Sequence, residues 1–383
     1  MMQPQPSIAI LGIGTAVPPH LLDQADTARR LVEALGDKTD AARWGRRIFK
    51  QCGVQSRYTC EPNLLSEAAE CRYLPSLSAH KAPSTAERMD TYKRESVPLG
   101  LQAARQALAD GEVEPRDVTH LITVSCTGQF LPGLDTAIIH QLGLSPSITR
   151  IPLNFLGCAA GLKAIGLSRQ LVLNDSHAYV LIVCVELCTL HIQPSGDKES
   201  LFAASFFGDG ASACVVGAVK SLSKPIFVLG QERSVLLQGC ADEMVWEVGN
   251  HGFDLYLSPH IPRLIGEFIP PEVEQLCAEE ELELWAIHPG GKGIIDVLQT
   301  KFELTDEQIS HSLGVLRDYG NVSSATILFV LNAMRQQLHE RGSGAASGIA
   351  LAFGPGLTAE MIKIAYVPAA LEQQQRESDE AYA

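Results

Sequence analysis

The chain has 383 residues, 46% of them hydrophobic and 19% charged, an ordinary globular composition that excludes a disordered chain. The 30 Lys and Arg against 44 Asp and Glu leave a net charge of −14, which argues against general binding to nucleic acid or anionic membrane. Ten cysteines are scattered through apolar runs without a CxxC pair, so neither a disulfide framework nor a zinc site is expected, and the compartment reads as reducing and cytoplasmic. No apolar run approaches a membrane span, and the N-terminus lacks the basic and apolar regions of a secretory signal.

Ile8–Ile13 reads as a first strand. Gly12-Ile13-Gly14 lacks the third glycine of a dinucleotide fingerprint and Pro18-Pro19 follows, so nicotinamide binding is set aside. Residues 23–52 read as helix and carry a basic cluster, Arg43, Arg46, Arg47 and Lys50. Residues 61–84, with Pro62, Pro75 and Pro83, read as irregular. Strands and helices then alternate. Helix is expected over 88–110 and from 135, strand over 118–125 and 178–185. Residues 148–155 form a strand end containing Pro152, and 159–174 a helix. Residues 205–216 turn into a strand. A second round follows: strand 226–230, a long mixed segment, helix 259–279, strand 283–288, helices 290–300 and 321–341, and strand 347–353. Two comparable rounds imply a layered α/β architecture with internal duplication.

Three polar groups sit in small-residue turns. Cys158 lies in Gly157-Cys158-Ala159-Ala160-Gly161 at a helix N-terminus, where the helix dipole favours thiolate and makes a nucleophile. His288 ends an apolar strand before Pro289-Gly290-Gly291, a place for a projecting functional side chain. Asn321, in Gly320-Asn321-Val322-Ser323-Ser324-Ala325, opens a helix as an N-cap-like residue. Each has a bland reading as core filler, turn residue or cap. The joint pattern points to covalent acyl chemistry.

On these motifs, together with Ile10-Leu11-Gly12-Ile13-Gly14-Thr15-Ala16-Val17-Pro18-Pro19, Phe207-Gly208-Asp209-Gly210-Ala211 and Phe353-Gly354-Pro355-Gly356-Leu357-Thr358, the chain resembles the type III polyketide synthases of the chalcone synthase superfamily, over about residues 6–368. The resemblance implies a thiolase-like α/β fold of two similar βαβαβαββ halves in a layered αβαβα arrangement, and a homodimer. Residues 1–222 would carry Cys158, residues 223–371 His288 and Asn321, and residues 372–383 would be a flexible polar tail. Coenzyme A thioesters would be substrates, with no metal or redox cofactor. Cys158 would hold the growing chain, paired with a protonated His288. His288 and Asn321 would stabilise the enolate left by malonyl decarboxylation. Phe207, Phe353, Gly354 and Pro355 match pocket motifs, Phe207 as gatekeeper, and Arg47 and Lys50 match the site for coenzyme A phosphates.

The departures from the plant pattern bear on substrate. A second gatekeeper phenylalanine aligns with Leu255, with Phe253 open as an alternative register. Cys126, Cys188 and His191 stand where threonines are usual. Small apolar cysteines suit an alkyl chain better than a phenol. The expected substrates are therefore malonyl-CoA and an aliphatic acyl-CoA starter, with an acyl carrier protein as a further candidate donor. The expected product is an alkylpyrone or an alkylresorcinol. The resemblance links resorcinol closure to a hydrogen-bonded water near the Cys126, Glu186 and Ser323 positions, and a thiol at 126 tilts the reading slightly towards lactonisation. Alternatives are a single-condensation ketoacyl synthase III type of enzyme and a chalcone-type synthase with an aromatic starter. An inactive scaffold would have lost one of the three polar groups, and all three are present.

Overall fold

The structure, a computed structural model, describes residues 7–75, 82–220, 223–278 and 280–369. The tail expected at 372–383 lies outside the described residues.

The first round runs β1 (Ile8–Ala16), β2 (His20–Asp23), α1 (Gln24–Leu35), α2 (Asp40–Gln51), β3 (Ser56–Thr59), α3 (Thr85–Gly111), β4 (His120–Ser125), α4 (Leu134–Leu142), β5 (Thr149–Asn154), α5 (Ala160–Asn174), β6 (Val180–Leu187), α6 (Lys198–Phe206) and β7 (Asp209–Ala218). The second runs β8 (Ile226–Leu236), β9 (Met244–Gly249), β10 (Gly252–Leu257), α7 (Ile261–Cys277), β11 (Leu284–Ile287), α8 (Lys292–Lys301), α9 (Asp306–Tyr319), α10 (Thr326–Glu340), β12 (Ala346–Gly354) and β13 (Thr358–Val367). The helix expected over 23–52 is two helices, broken at Gly36 and restarted by the Thr39 N-cap, whose hydroxyl accepts from Ala42 N. Helix α9 and strand β13 were not anticipated, although Thr305 and Gln308 spell out the capping box that starts α9.

Nine strands form one sheet in the order β11-β12-β13-β8-β1-β7-β6-β4-β5. The duplication is visible in the pairing. β1 is antiparallel to β7, β7 antiparallel to β6, and β6 parallel to β4. β8 repeats this with β13, β13 with β12, and β12 with β11. Pro152 sits in β5, an edge strand, where a missing N–H costs no ladder bond.

Alternation along single strands feeds separate cores. In β7, Cys214 and Val216 face a central core with α5 and α10, while Ala213 and Val215 face an outer core with α3 and α4. In β12, Ala350 and Ala352 face the central core, while Ile349, Leu351 and Phe353 face α7, α8 and α9. Helices α5 and α10 are thus sandwiched between the halves, with further helices outside, as expected of a thiolase-like fold. Ile165 of α5 is 0% exposed in that central layer. Ile165→Ala should cost about 2–5 kcal/mol in denaturant unfolding, and an unchanged midpoint would contradict the layering.

Candidate active site

The site forms at the carboxyl ends of parallel strands, where loops leave the sheet. Cys126 follows β4, the Cys158 turn follows β5, Cys188 follows β6 and His288 follows β11. Cys158 sits in a 3₁₀ turn, Gly157–Ala159, that leads into α5. Gly157 has φ 63°, and a Cβ there would lie 2.2 Å from Pro355 Cδ; one at Gly161 would lie 2.2 Å from Ser324 O. The small residues therefore let loops of the second round close directly on the nucleophile turn. Phe155 (φ 59°) and Ser323 (φ 45°) also hold left-handed backbone beside it, strain of the kind that collects at functional sites.

Asn321 is not the cap of α10, whose N-cap position is Ala325. Instead its backbone pairs with the chain at Phe207: Asn321 N donates to Phe206 O (2.8 Å) and Gly208 N to Asn321 O (3.0 Å). Its Oδ1 accepts from Ser323 N at 2.8 Å, which turns Nδ2 towards Cys158 Sγ, 3.8 Å away. Ser323 Oγ lies 3.7 Å from the same sulfur. His288 is buried, and neither ring nitrogen has a hydrogen-bond partner. A buried imidazole with both nitrogens unpaired is costly unless a ligand completes it.

Burial pushes the Cys158 thiol up to about 11 and the His288 imidazole down to about 3. Neither group is charged by its own surroundings, because desolvation outweighs the helix terminus. The expected thiolate–imidazolium pair therefore requires the two groups to act together, by passing one proton within the cleft.

Cys126, Glu186 and Ser323 are brought together. Cys126 Sγ is 3.0 Å from Ser323 Oγ and 3.4 Å from Glu186 Oε1. Glu186 also accepts from Thr127 Oγ1 at 2.6 Å, from Ser324 Oγ and from Cys126 N. Burial raises its carboxyl above the ordinary range despite these donors. His191 uses both nitrogens, Nε2 towards Thr127 O (2.6 Å) and Nδ1 accepting from Phe253 N (3.0 Å), and burial pulls it down to about 3. It is a neutral bridge, stacked on Phe253 at 4.2 Å.

Cys158, His288, Asn321, Cys126, Ser323, Phe207, Leu255, Phe353 and Pro355 line one cleft of about 720 Å³. Leu255 lines the cleft; Phe253 does not, and lines the neighbouring cavity instead. Cys188 and His191 line a side cavity of about 700 Å³ that shares Phe207, Trp246 and Leu255 with the cleft. Gly354 and Glu186 lie behind the cleft lining. A third cavity, about 1470 Å³, shares Met244, Leu255 and Leu257 and opens beside Trp44, Lys198 and Lys292. The α2 residues that line it are Trp44, Ile48 and Gln51; Arg47 and Lys50 are exposed next to that face and do not line it. Trp246 was not anticipated. Its indole packs edge-on against Phe207 and Phe253, and its buried N–H has no partner. The alternation Met244-Val245-Trp246, answered across Gly249–Gly252 by Leu255-Tyr256-Leu257, was a hairpin signal. Among the described residues, no group of three or more His, Cys, Asp and Glu side chains is placed to hold a metal ion.

The pH dependence of Cys158 alkylation by iodoacetamide separates joint from single action. Wild-type protein should react well below about 11, whereas His288→Gln should move the profile up towards about 11, the value burial alone sets. Coincident profiles would show that His288 does not take the proton.

Two family profiles match, "Chalcone and stilbene synthases, N-terminal domain" over residues 3–220 and "Chalcone and stilbene synthases, C-terminal domain" over residues 233–368. "Alpha-pyrone synthesis polyketide synthase-like Pks18" proteins of Mycobacterium tuberculosis and Mycobacterium bovis are 31% identical over 366 residues, 93% of this chain and 91% of theirs. Among solved structures, the C-terminal type III polyketide synthase domain of Steely1, a type I/III hybrid from Dictyostelium, is similar with TM-score 0.84 and 26% identity, covering 94% of this chain and 99% of that one. PKS-I from the brown alga Ectocarpus siliculosus is similar with TM-score 0.86 and 25% identity, covering 95% and 99%. The chain belongs to the chalcone and stilbene synthase family of type III polyketide synthases, acyltransferases that condense malonyl-CoA with decarboxylation.

Proposed function

We propose that this enzyme loads an aliphatic acyl group from coenzyme A onto Cys158, extends it with malonyl-CoA and closes the product as an alkylpyrone. The observation that carries the reading is the convergence of Cys158, Asn321 and an unpartnered, buried His288 on one largely apolar cleft.

His288 takes the Cys158 proton as the thiolate attacks the starter carbonyl. The C–S bond to coenzyme A breaks, and the leaving thiolate recovers the proton. Malonyl-CoA then loses CO₂, and the bonding pair stays as an enolate. A neutral His288 still has one N–H, and Asn321 Nδ2 supplies a second donor, so the enolate oxygen is held without a charged residue. The enolate carbon attacks the Cys158 thioester and frees the sulfur. Release of CO₂ drives each round, so the chemistry requires only the thioester substrates. At the end an enol oxygen attacks the terminal thioester and expels the thiol. The thiol of Cys126, held between Ser323 and Glu186, is a weaker hydrogen-bonding group than a hydroxyl, which supports lactone rather than resorcinol closure.

Several observations support the finer points. Leu255, Met244, Leu257 and Ile294 give the cleft aliphatic walls. The side cavity that shares Phe207 and Trp246 with the cleft is the proposed place for the starter's alkyl tail, along its apolar wall of Cys188, Ile192 and Ala203 and away from Asp197 and Glu199. Lys198 and Lys292, with Arg47 and Lys50 on the neighbouring α2 surface, are the cations proposed to meet the coenzyme A phosphates. The repeated strand pairing supports two halves at 1–222 and 223–371. A homodimer is supported by the edge strand β5 and by exposed apolar residues: Leu131, 92% exposed, and Phe155 and Leu156 in the turn before Cys158. All ten cysteines are free, which fits a reducing cytoplasm; among the described residues no helix is long and apolar enough to cross a membrane.

Products of purified protein given malonyl-CoA and starter thioesters from acetyl to stearoyl, plus coumaroyl, test this by mass spectrometry. Alkylpyrones from the longer aliphatic starters, absent with Cys158→Ala, are expected. A single condensation, or use of coumaroyl alone, would overturn it. Running the same starters on an acyl carrier protein decides the donor. Cys188→Phe, which narrows only the side cavity, should shorten the longest starter accepted. Unchanged chain-length use would sink the side-cavity assignment.

A further inference from the structure

The guanidinium of Arg57 is 0% exposed, an unusual place for a charge with no carboxylate bonded to it. Arg57 lies in β3, far in sequence from the cleft. Its Nη1 donates to the carbonyl oxygen of Phe207 at 2.8 Å, while Nε and Nη2 are buried without partners. Burial pulls it down to about 10, which leaves it charged at neutral pH. The Phe49 ring, 5.9 Å from the guanidinium carbon, and the charge of buried Asp209 offset part of the cost, and the single hydrogen bond goes to the Phe207 carbonyl.

The surroundings show what that bond holds. Phe207, which lines the cleft, and Asn321, beside Cys158, belong to the same short backbone ladder, through Asn321 N to Phe206 O and Gly208 N to Asn321 O. The stem of Arg57 lies against both strands of that ladder. A Cβ on Gly208 would meet Arg57 Cβ at 3.1 Å and Tyr319 O at 2.5 Å; one on Gly320, whose φ is 70°, would meet Arg57 Cβ at 3.5 Å and Phe206 O at 2.4 Å. β3 is anchored on the far side as well. Gln55 N donates to Arg317 O (2.7 Å), Ser56 Oγ donates to Asp318 O (3.0 Å), and Tyr58 stacks on Tyr319 at 6.0 Å. Next along the chain, Asp209 is buried and accepts from Thr189 N (2.7 Å) and Cys60 N (2.9 Å). The segment 206–209 is therefore held at the Phe207 carbonyl by Arg57, at its Gly208 amide and Phe206 carbonyl by Asn321, and at Asp209 by two further loops.

We infer that Arg57 is a positioning residue for condensation: its hydrogen bond to the Phe207 carbonyl holds the gatekeeper and the Asn321 carboxamide in one register, so that the malonyl-derived enolate meets a pre-aimed donor. The inference rests on the role proposed above for Asn321. Arg57 touches neither substrate nor the reacting atoms, and acts only through the ladder. Starter loading at Cys158 uses His288 and does not need the Asn321 donor. The two half-reactions should therefore respond differently when Arg57 is changed.

The experiment follows acyl loading of Cys158 by intact-protein mass and condensation by product formation, in wild type, Arg57→Lys and Arg57→Met, with thermal unfolding as control. In Arg57→Met, loading should stay near wild type while condensation falls roughly tenfold or more, as a small misplacement of a catalytic group does. Arg57→Lys, which keeps the charge and one donor, should recover part of the loss. Should Arg57→Met not fold, Arg57→Lys alone decides, by a fall in condensation with loading retained. Equal falls in loading and condensation would reduce Arg57 to a structural residue, and no fall in either would remove it from the site; both overturn the inference. A wild-type protein that loads no acyl group would instead bring down the functional reading itself.

Discussion

The site depends on direct backbone contact between loops of the two rounds. The turn bearing Cys158 closes against Pro355 and Ser324, and the Phe207 segment closes against Tyr319 and Asn321. A side chain on Gly157, Gly161 or Gly208 would block these contacts, which is why the site motifs are runs of glycine, alanine and serine around single functional residues. Such contact buries the groups it brings together. Burial in turn sets the electrostatics: it holds Cys158 and His288 in their neutral forms and makes each donor aimed into the cleft count for more.

This constraint connects the duplication to the chemistry. Each round contributes the carboxyl ends of parallel strands, β4, β5 and β6 from one and β11 and β12 from the other. Cys158 arrives on the turn before α5, and His288 and Asn321 on the loops after β11 and α9, so the cleft lies where the two rounds meet. Proton transfer between Cys158 and His288 conserves net charge within it. In a buried cleft that is cheaper than importing an ion, and it would let a thiol held up near 11 act as the proposed nucleophile.

Much of this was legible in the letters. Cys158, His288 and Asn321 each follow a strand or helix in a run of small residues, where packing gives no reason for a polar group. The strand–helix alternation was legible where apolar runs were long, as in β6 and β7, which are buried on both faces. What escaped is set by distant contacts. Arg57 meets Phe207 across 150 residues, and a lone arginine in a short strand carries no local sign of burial. The choice between Leu255 and Phe253 stayed open because the two are two apart in β10 and so share a face of the β9–β10 hairpin. Asn321 read as a cap because asparagine favours helix starts, yet its backbone was claimed by the Phe207 segment. Arg47 and Lys50 share a helix with the cavity lining but not a face, a distinction that helical spacing alone left open.

The most direct measurement is the mass of the intact protein after incubation with an aliphatic acyl-CoA and no malonyl-CoA, followed by peptide mapping. The account predicts one acyl adduct per chain, on Cys158, absent in Cys158→Ala and restored to free thiol when malonyl-CoA is added. An adduct on Cys126 or another cysteine, or none at all, would contradict it.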